Sequence, residues 1–201
     1  GGNLFDSIRG LDYLVALKKK YNLKLAVSNN SWGGASYSSA LEDAIKRAYA
    51  AGILFVTSSG NSGQDNDAAP QYPSSYSLPG VISVAANDRA GNLASFSNYG
   101  RQSVHLAAPG VEILSTINAG GFATMSGSSM AAPFVSGALS LLYSVQPELT
   151  STELKERVLN SATALPSLNG LVQTGAVLNV PGMFAAIPGG SSPLISPATI
   201  E

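Results

Sequence analysis

Cysteine is absent from the 201 residues, histidine occurs once, and only 11% of the chain is charged. The first absence excludes disulfides and thiolate metal sites while leaving the redox compartment open. Eleven basic side chains against 12 acidic ones give a net charge of −1. That balance offers no attraction to nucleic acid or to an acidic membrane surface. There is no run of about 18 apolar residues, so no membrane span is expected. No secretory leader opens the chain either, and Gly1-Gly2 does not look like a native start. What remains is 45% hydrophobic with 21 glycines, the composition of a compact chain rich in small residues. Its length suffices for a sizeable core and for one domain, or most of one.

Helical and strand patterns alternate along the chain. Leu4 to Lys20 places Phe5, Ile8, Leu11 and Leu14 at helical spacing and ends in Lys18-Lys19-Lys20, cations that suit a helix C-terminus. The lysine run reads as a solvated helix end. Ser39 to Ala51 repeats the pattern, with Ser38 or Ser39 as cap and Gly52 as stop. Strands are expected at about 24–29, 53–58, 81–86, 93–96, 103–107 and 112–117. A third helix is expected from Met130 to Val145, and Thr150-Ser151-Thr152-Glu153 forms a capping box for a fourth. Strand–helix alternation with buried strands implies an α/β fold: three layers, a mostly parallel sheet covered by helices on both faces. Residues 188–201 have the Pro/Gly/Ser composition of a tail or linker, leaving 1–187 as the folded unit.

Two short segments carry chemistry. Gly127-Ser128-Ser129-Met130-Ala131-Ala132-Pro133 sets Ser129 among small residues at the mouth of the long apolar helix. Unpaired N–H groups and the helix dipole there favour developing negative charge. Pro133 is best tolerated in a first helical turn, which places the helix start close to Ser129. Asn61 directly follows the apolar run Ile53–Thr57 and Ser58-Ser59-Gly60, at a strand's C-terminal end, where open α/β sheets hold ligands. A turn asparagine fits that position equally well. Upstream, Ser31-Trp32-Gly33-Gly34 follows a short apolar run, and its glycines admit a close-approaching backbone.

These segments, in this order, resemble the subtilisin-like serine proteases from about Phe5 to about Ala186. Departures are Ser128 where the family more often has Thr, Phe134 where it often has His, and Trp32 where it often has Leu. The resemblance implies Ser129 as nucleophile and Asn61 as an oxyanion donor. It implies substrate binding by Ser31, Trp32 and Gly33 on one side and by Ser58, Ser59 and Gly60 on the other. Gln71, before Tyr72-Pro73, would lie at the base of the primary specificity pocket. Asp88 matches a carboxylate of a weak cation site, which makes calcium an expectation by resemblance alone; an Asx-type turn explains Asp88 as well. No cofactor is otherwise implied. The family, together with low charge, points to a secreted or extracytoplasmic protein.

A serine hydroxyl is a weak nucleophile until a base takes its proton and an acid orients that base. The family's Asp and His motifs precede the helix that opens this chain. His105 lies where the family commonly has Asp and reads as a surface or strand-end residue. The expectation is therefore a polypeptide-cleaving serine endopeptidase whose upstream segment, covalent or nicked, supplies acid and base. The chain alone should be inactive and prone to self-association. The alternative is a non-catalytic peptide-binding module derived from such an enzyme.

Overall fold

The computed structural model describes residues 2–34, 36–118 and 120–185, and the tail expected at 188–201 lies outside them. Helix α1, Leu4–Tyr21, begins where Asn3 Oδ1 accepts the Asp6 N–H at 2.8 Å and ends at Asn22 in the left-handed conformation. Its lysines are not all solvated as expected. Lys18 is half-buried, and its ammonium donates to the carbonyls of Leu25 at 2.6 Å and Gly52 at 3.0 Å. Strand β1, Val27–Asn30, leads to helix α2, Ser39–Ala50, capped by the Ser38 hydroxyl. Strands β2, Leu54–Ser58, and β3, Val81–Asn87, follow, every residue of both buried. Then come β4, Leu106–Pro109, and the hairpin strands β5, Ile113–Thr116, and β6, Phe122–Met125. Helices α3, Ser128–Val145, and α4, Ser151–Asn160, precede β7, Thr163–Ala164, β8, Ala176–Val177, and a short α5, Val180–Ala185.

The main sheet runs β1-β2-β3-β4-β8-β7; β1 to β4 and β8 are parallel, and β7 is antiparallel to β8. Residues of each strand alternate between faces, as the pleat requires. Leu54 and Val56 meet Ala132, Val135 and Leu139 of α3, while Phe55 between them meets Leu41 and Ile45 of α2 and Leu11 of α1. The expected three-layer α/β arrangement is the one observed. By length and composition α3, mean hydropathy 1.3, is the one described helix apolar enough to cross a membrane. Its buried residues are the centre of this core.

Several boundaries differ from expectation. Residues 93–96 make one bridge, Leu93 to Asn87, and otherwise turn. Strand β4 starts at Leu106 because residues 101–103 turn around Asp67, whose carboxylate accepts the N–H groups of Gln102 and Ser103, both at 2.9 Å. Strand β6 was not expected, although Gly120-Gly121 between two runs with β-branched or aromatic residues is a hairpin signal. Helix α3 starts two residues early, so Pro133 sits in its second turn rather than its first. Proline there leaves the Ser129 carbonyl without its helical N–H donor. The Ser31 hydroxyl donates to that carbonyl instead, at 2.8 Å.

Candidate active site

The C-terminal ends of β1 and β2 and the N-terminus of α3 converge on one pocket of about 190 Å3. Its lining brings together Trp32, Gly33, Ser58, Ser59, Gly60, Asn61, Gln71 and Ser129, all singled out in the sequence, with Gly34, Ser62, Tyr72 and Ser74 beside them. Ser31 sits just behind, donating to the Ser129 carbonyl while its own carbonyl lies 3.4 Å from Ser129 Oγ. Asp88 is elsewhere. Its carboxylate accepts the N–H groups of Ala90 and Asn92, both at 2.9 Å, and these donors hold its pKa below the usual carboxylate range. No group of three His, Cys, Asp or Glu side chains lies together among the described residues. The bonds that Asp88 accepts form the Asx-type turn.

Ser129 is the second residue of α3, so its N–H has no helical acceptor, and it finds no other among the described residues. Its neighbour Ser128 is completely buried and was not assigned a role from sequence. The Ser128 N–H donates to Asn61 Oδ1 at 2.8 Å, and the Ser128 hydroxyl lies 2.9 Å from the same oxygen and 3.1 Å from the Gly60 carbonyl. Both grips fall on the oxygen of the Asn61 amide. The Nδ2 group is left without an acceptor among the described residues, and it lies 3.3 Å from where a Cβ on Gly127 would be. Any residue larger than glycine at 127 would crowd that donor. Two N–H donors of different origin, one main-chain and one side-chain, thus stand free beside a serine hydroxyl.

The strand end that carries Asn61 is held by a buried asparagine pair. Asn98 Nδ2 donates to Asn66 Oδ1 at 2.9 Å, and Asn98 Oδ1 accepts the Ser62 N–H at 2.8 Å. Gly60 has φ +115, and a Cβ on it would come within 2.5 Å of Asn98 Nδ2. Only glycine fits both conditions. Across the pocket, the N–H groups of Trp32, Gly33 and Gly34 have no acceptor among the described residues, which leaves them open for pairing. Elsewhere in the lining the Gln71 N–H donates to Ser75 Oγ at 3.0 Å, and Ser59 and Ser74 are small polar residues.

His105, the only histidine, immediately precedes β4 as a strand-end residue, but it is half-buried rather than on the surface. Its Nδ1 accepts the Ser83 N–H at 3.0 Å, and it lines a different cavity from Ser129. Burial, and then the charge of Lys155, lower its pKa to about 3, so the ring is neutral at ordinary pH. Asp12, on α1, pairs with Arg47 at 2.9 Å. Neither completes a nucleophile–base–acid chain with Ser129.

A profile described as the Subtilase family matches residues 2–182. A thermostable alkaline protease of Halalkalibacterium halodurans is 39% identical over 178 residues, 87% of this chain and 46% of the relative. Subtilisin DY of Bacillus licheniformis is 40% identical over 142 residues, 70% of this chain and 51% of the relative. Subtilisin Savinase of Lederbergia lenta is 37% identical over 159 residues, 77% and 57% respectively. The chain spans about half the length of these curated relatives.

Proposed function

The chain belongs to the subtilase family, and from that premise we propose that it is the nucleophile-bearing part of a secreted serine endopeptidase. Ser129 Oγ attacks the scissile carbonyl to give an acyl-enzyme. Asn61 Nδ2 and the Ser129 N–H receive the oxyanion. The observation that carries this reading is the double hold on Asn61 Oδ1 by Ser128, which turns the amide so that its N–H face is free. A donor oriented in advance toward charge present only in the transition state is worth about 3–4 kcal/mol of barrier.

The substrate backbone pairs with the open edge at Ser31–Gly34, and Ser58–Gly60 form the opposite wall. The residue before the cleaved bond enters the small pocket floored by Gln71, Ser59 and Ser74. Such a floor favours unbranched or polar side chains of moderate size over large aromatic ones. Base and acid come from an upstream segment, the necessary partner, which abuts Ser129 from the side of β1 and the start of α3. No cofactor takes part in the proposed chemistry. A peptide-binding module remains the second reading, favoured by the unpaired N–H row at Trp32–Gly34, which serves recognition as well as hydrolysis.

An organophosphonate probe separates the two. The chain joined to its upstream segment should be labelled at Ser129, and the chain alone scarcely at all. Absence of label in the joined protein, with peptide affinity retained, would establish the binding module.

A further inference from the structure

A larger cavity, about 500 Å3, backs the pocket that holds Ser129. Asn66 and Ser74 form the partition: Asn66 lines the larger cavity and donates to Ser59 O at 2.8 Å and Ser74 Oγ at 3.2 Å, both on the Ser129 side. Lys155 enters the cavity from α4. Its ammonium donates to the carbonyls of Val81 at 2.7 Å and Pro79 at 3.2 Å, where β4 has not yet begun and the start of β3, paired with β2, lacks a strand on its other side. One ammonium N–H remains. Among the described residues no carboxylate lies within salt-bridge distance of Lys155. The cavity's own acid, Asp67, has its oxygens taken by the N–H groups of Gln102 and Ser103 and by the Ser103 hydroxyl.

His105 supplies a second donor. Because Nδ1 accepts the Ser83 N–H and the ring is neutral, the ring proton sits on Nε2. The side-chain amides of Gln102 and Gln173 also line the cavity and have no partner among the described residues. The cavity therefore offers a half-buried cation without a counter-ion, a neutral N–H, and two adaptable amides. We propose that it binds a small monocarboxylate, whose two oxygens bridge the free N–H of Lys155 and the Nε2–H of His105. A planar acceptor with two oxygens matches two donors, and its single charge matches the one ammonium. A dianion such as phosphate would face Asp67 with only one cation to offset it. Ser83 stands between the two sites: its main-chain N–H donates to His105 Nδ1, and its hydroxyl lies 2.6 Å from Ser74 Oγ, which lines the Ser129 pocket.

The test is calorimetric titration of the full-length protein with acetate at about neutral pH and constant ionic strength, with phosphate as a parallel arm. One site with a Kd on the order of 1 mM is expected for acetate, with phosphate at least about ten-fold weaker. Lys155→Met should abolish acetate binding. That variant also loses two carbonyl bonds, so His105→Phe, which keeps both, decides the matter. It should weaken acetate about ten-fold while circular dichroism stays native. Wild-type acetate affinity in a folded His105→Phe protein, equal phosphate affinity, or no acetate site in the wild type would each overturn the proposal.

Discussion

At Ser128 a fully buried hydroxyl and its own N–H converge on one oxygen of Asn61, so a residue outside the pocket sets the direction of one that lines it. In the proposed protease, joined to the upstream segment it calls for, Asn61→Ala is expected to lower kcat by roughly 10²–10³ with little change in KM. Ser128→Ala removes one of the two grips and should cost kcat about ten-fold, again at constant KM, with Ser128→Thr restoring it. A loss in KM alone would make Asn61 a binding or turn residue. His105 gives a second test at this scale. Its pKa falls from 6.5 to about 3 in the folded chain. Between those values the unfolded chain holds a proton that the folded one refuses, so stability drops as pH falls from 6.5 toward 3. The full shift corresponds to roughly 5 kcal/mol. Urea melts across that window should show a much flatter acid limb for His105→Phe than for the wild type, with Asp67 and Lys155, the charged groups facing the ring, unchanged in both.

Among the elements, α3 shows most clearly what the sequence could and could not disclose. Its apolar length and the small residues at its mouth were legible, as were the Thr150 capping box and the strands at β2 and β3, because those signals are local. The exact start was not. Pro133 suggested a first turn, but the chain tolerates it a turn later because Ser31, 98 positions away, donates to the Ser129 carbonyl that proline leaves unserved. No periodicity reports such a bond. The role of Ser128 escaped for the same reason, since its partners lie 67 and 68 positions away. The residues of the Ser129 pocket were found by motif, whereas the shortened β4 depends on the Asp67 turn. Ser31→Ala should therefore lower stability by about 1 kcal/mol, and Thr150→Ala by a similar amount through its cap. Thermal melts of the two variants, and of the double variant, check both values. Additivity is expected, as the sites share no partner.

For the whole molecule the decisive feature is the apolar surface spread over the β5–β6 hairpin and along α3. Leu114 and Phe122 on the hairpin are 68% and 72% exposed, and Phe134, Leu141 and Val145 on α3 are exposed as well. Strand β1 also has one partner only, β2, within the described sheet. An open strand edge next to an apolar face promotes association. The chain alone is therefore expected to self-associate or to melt without cooperativity, and to become a well-behaved unit once the proposed upstream segment is joined to it. Sedimentation of the isolated chain as a cooperatively melting monomer would defeat this expectation.

The end of the sheet far from Ser129 is secured differently. Lys18 joins the carbonyls of Leu25 and Gly52, just ahead of β1 and β2, and Lys155 joins those of Pro79 and Val81 at the start of β3. Two amines thus clamp the beginnings of three adjacent strands. An acylated lysine retains a single N–H and can serve only one carbonyl of each pair. Amine-directed coupling to a resin, or anhydride treatment, would loosen the scaffold from its base while leaving every atom of the serine pocket chemically intact.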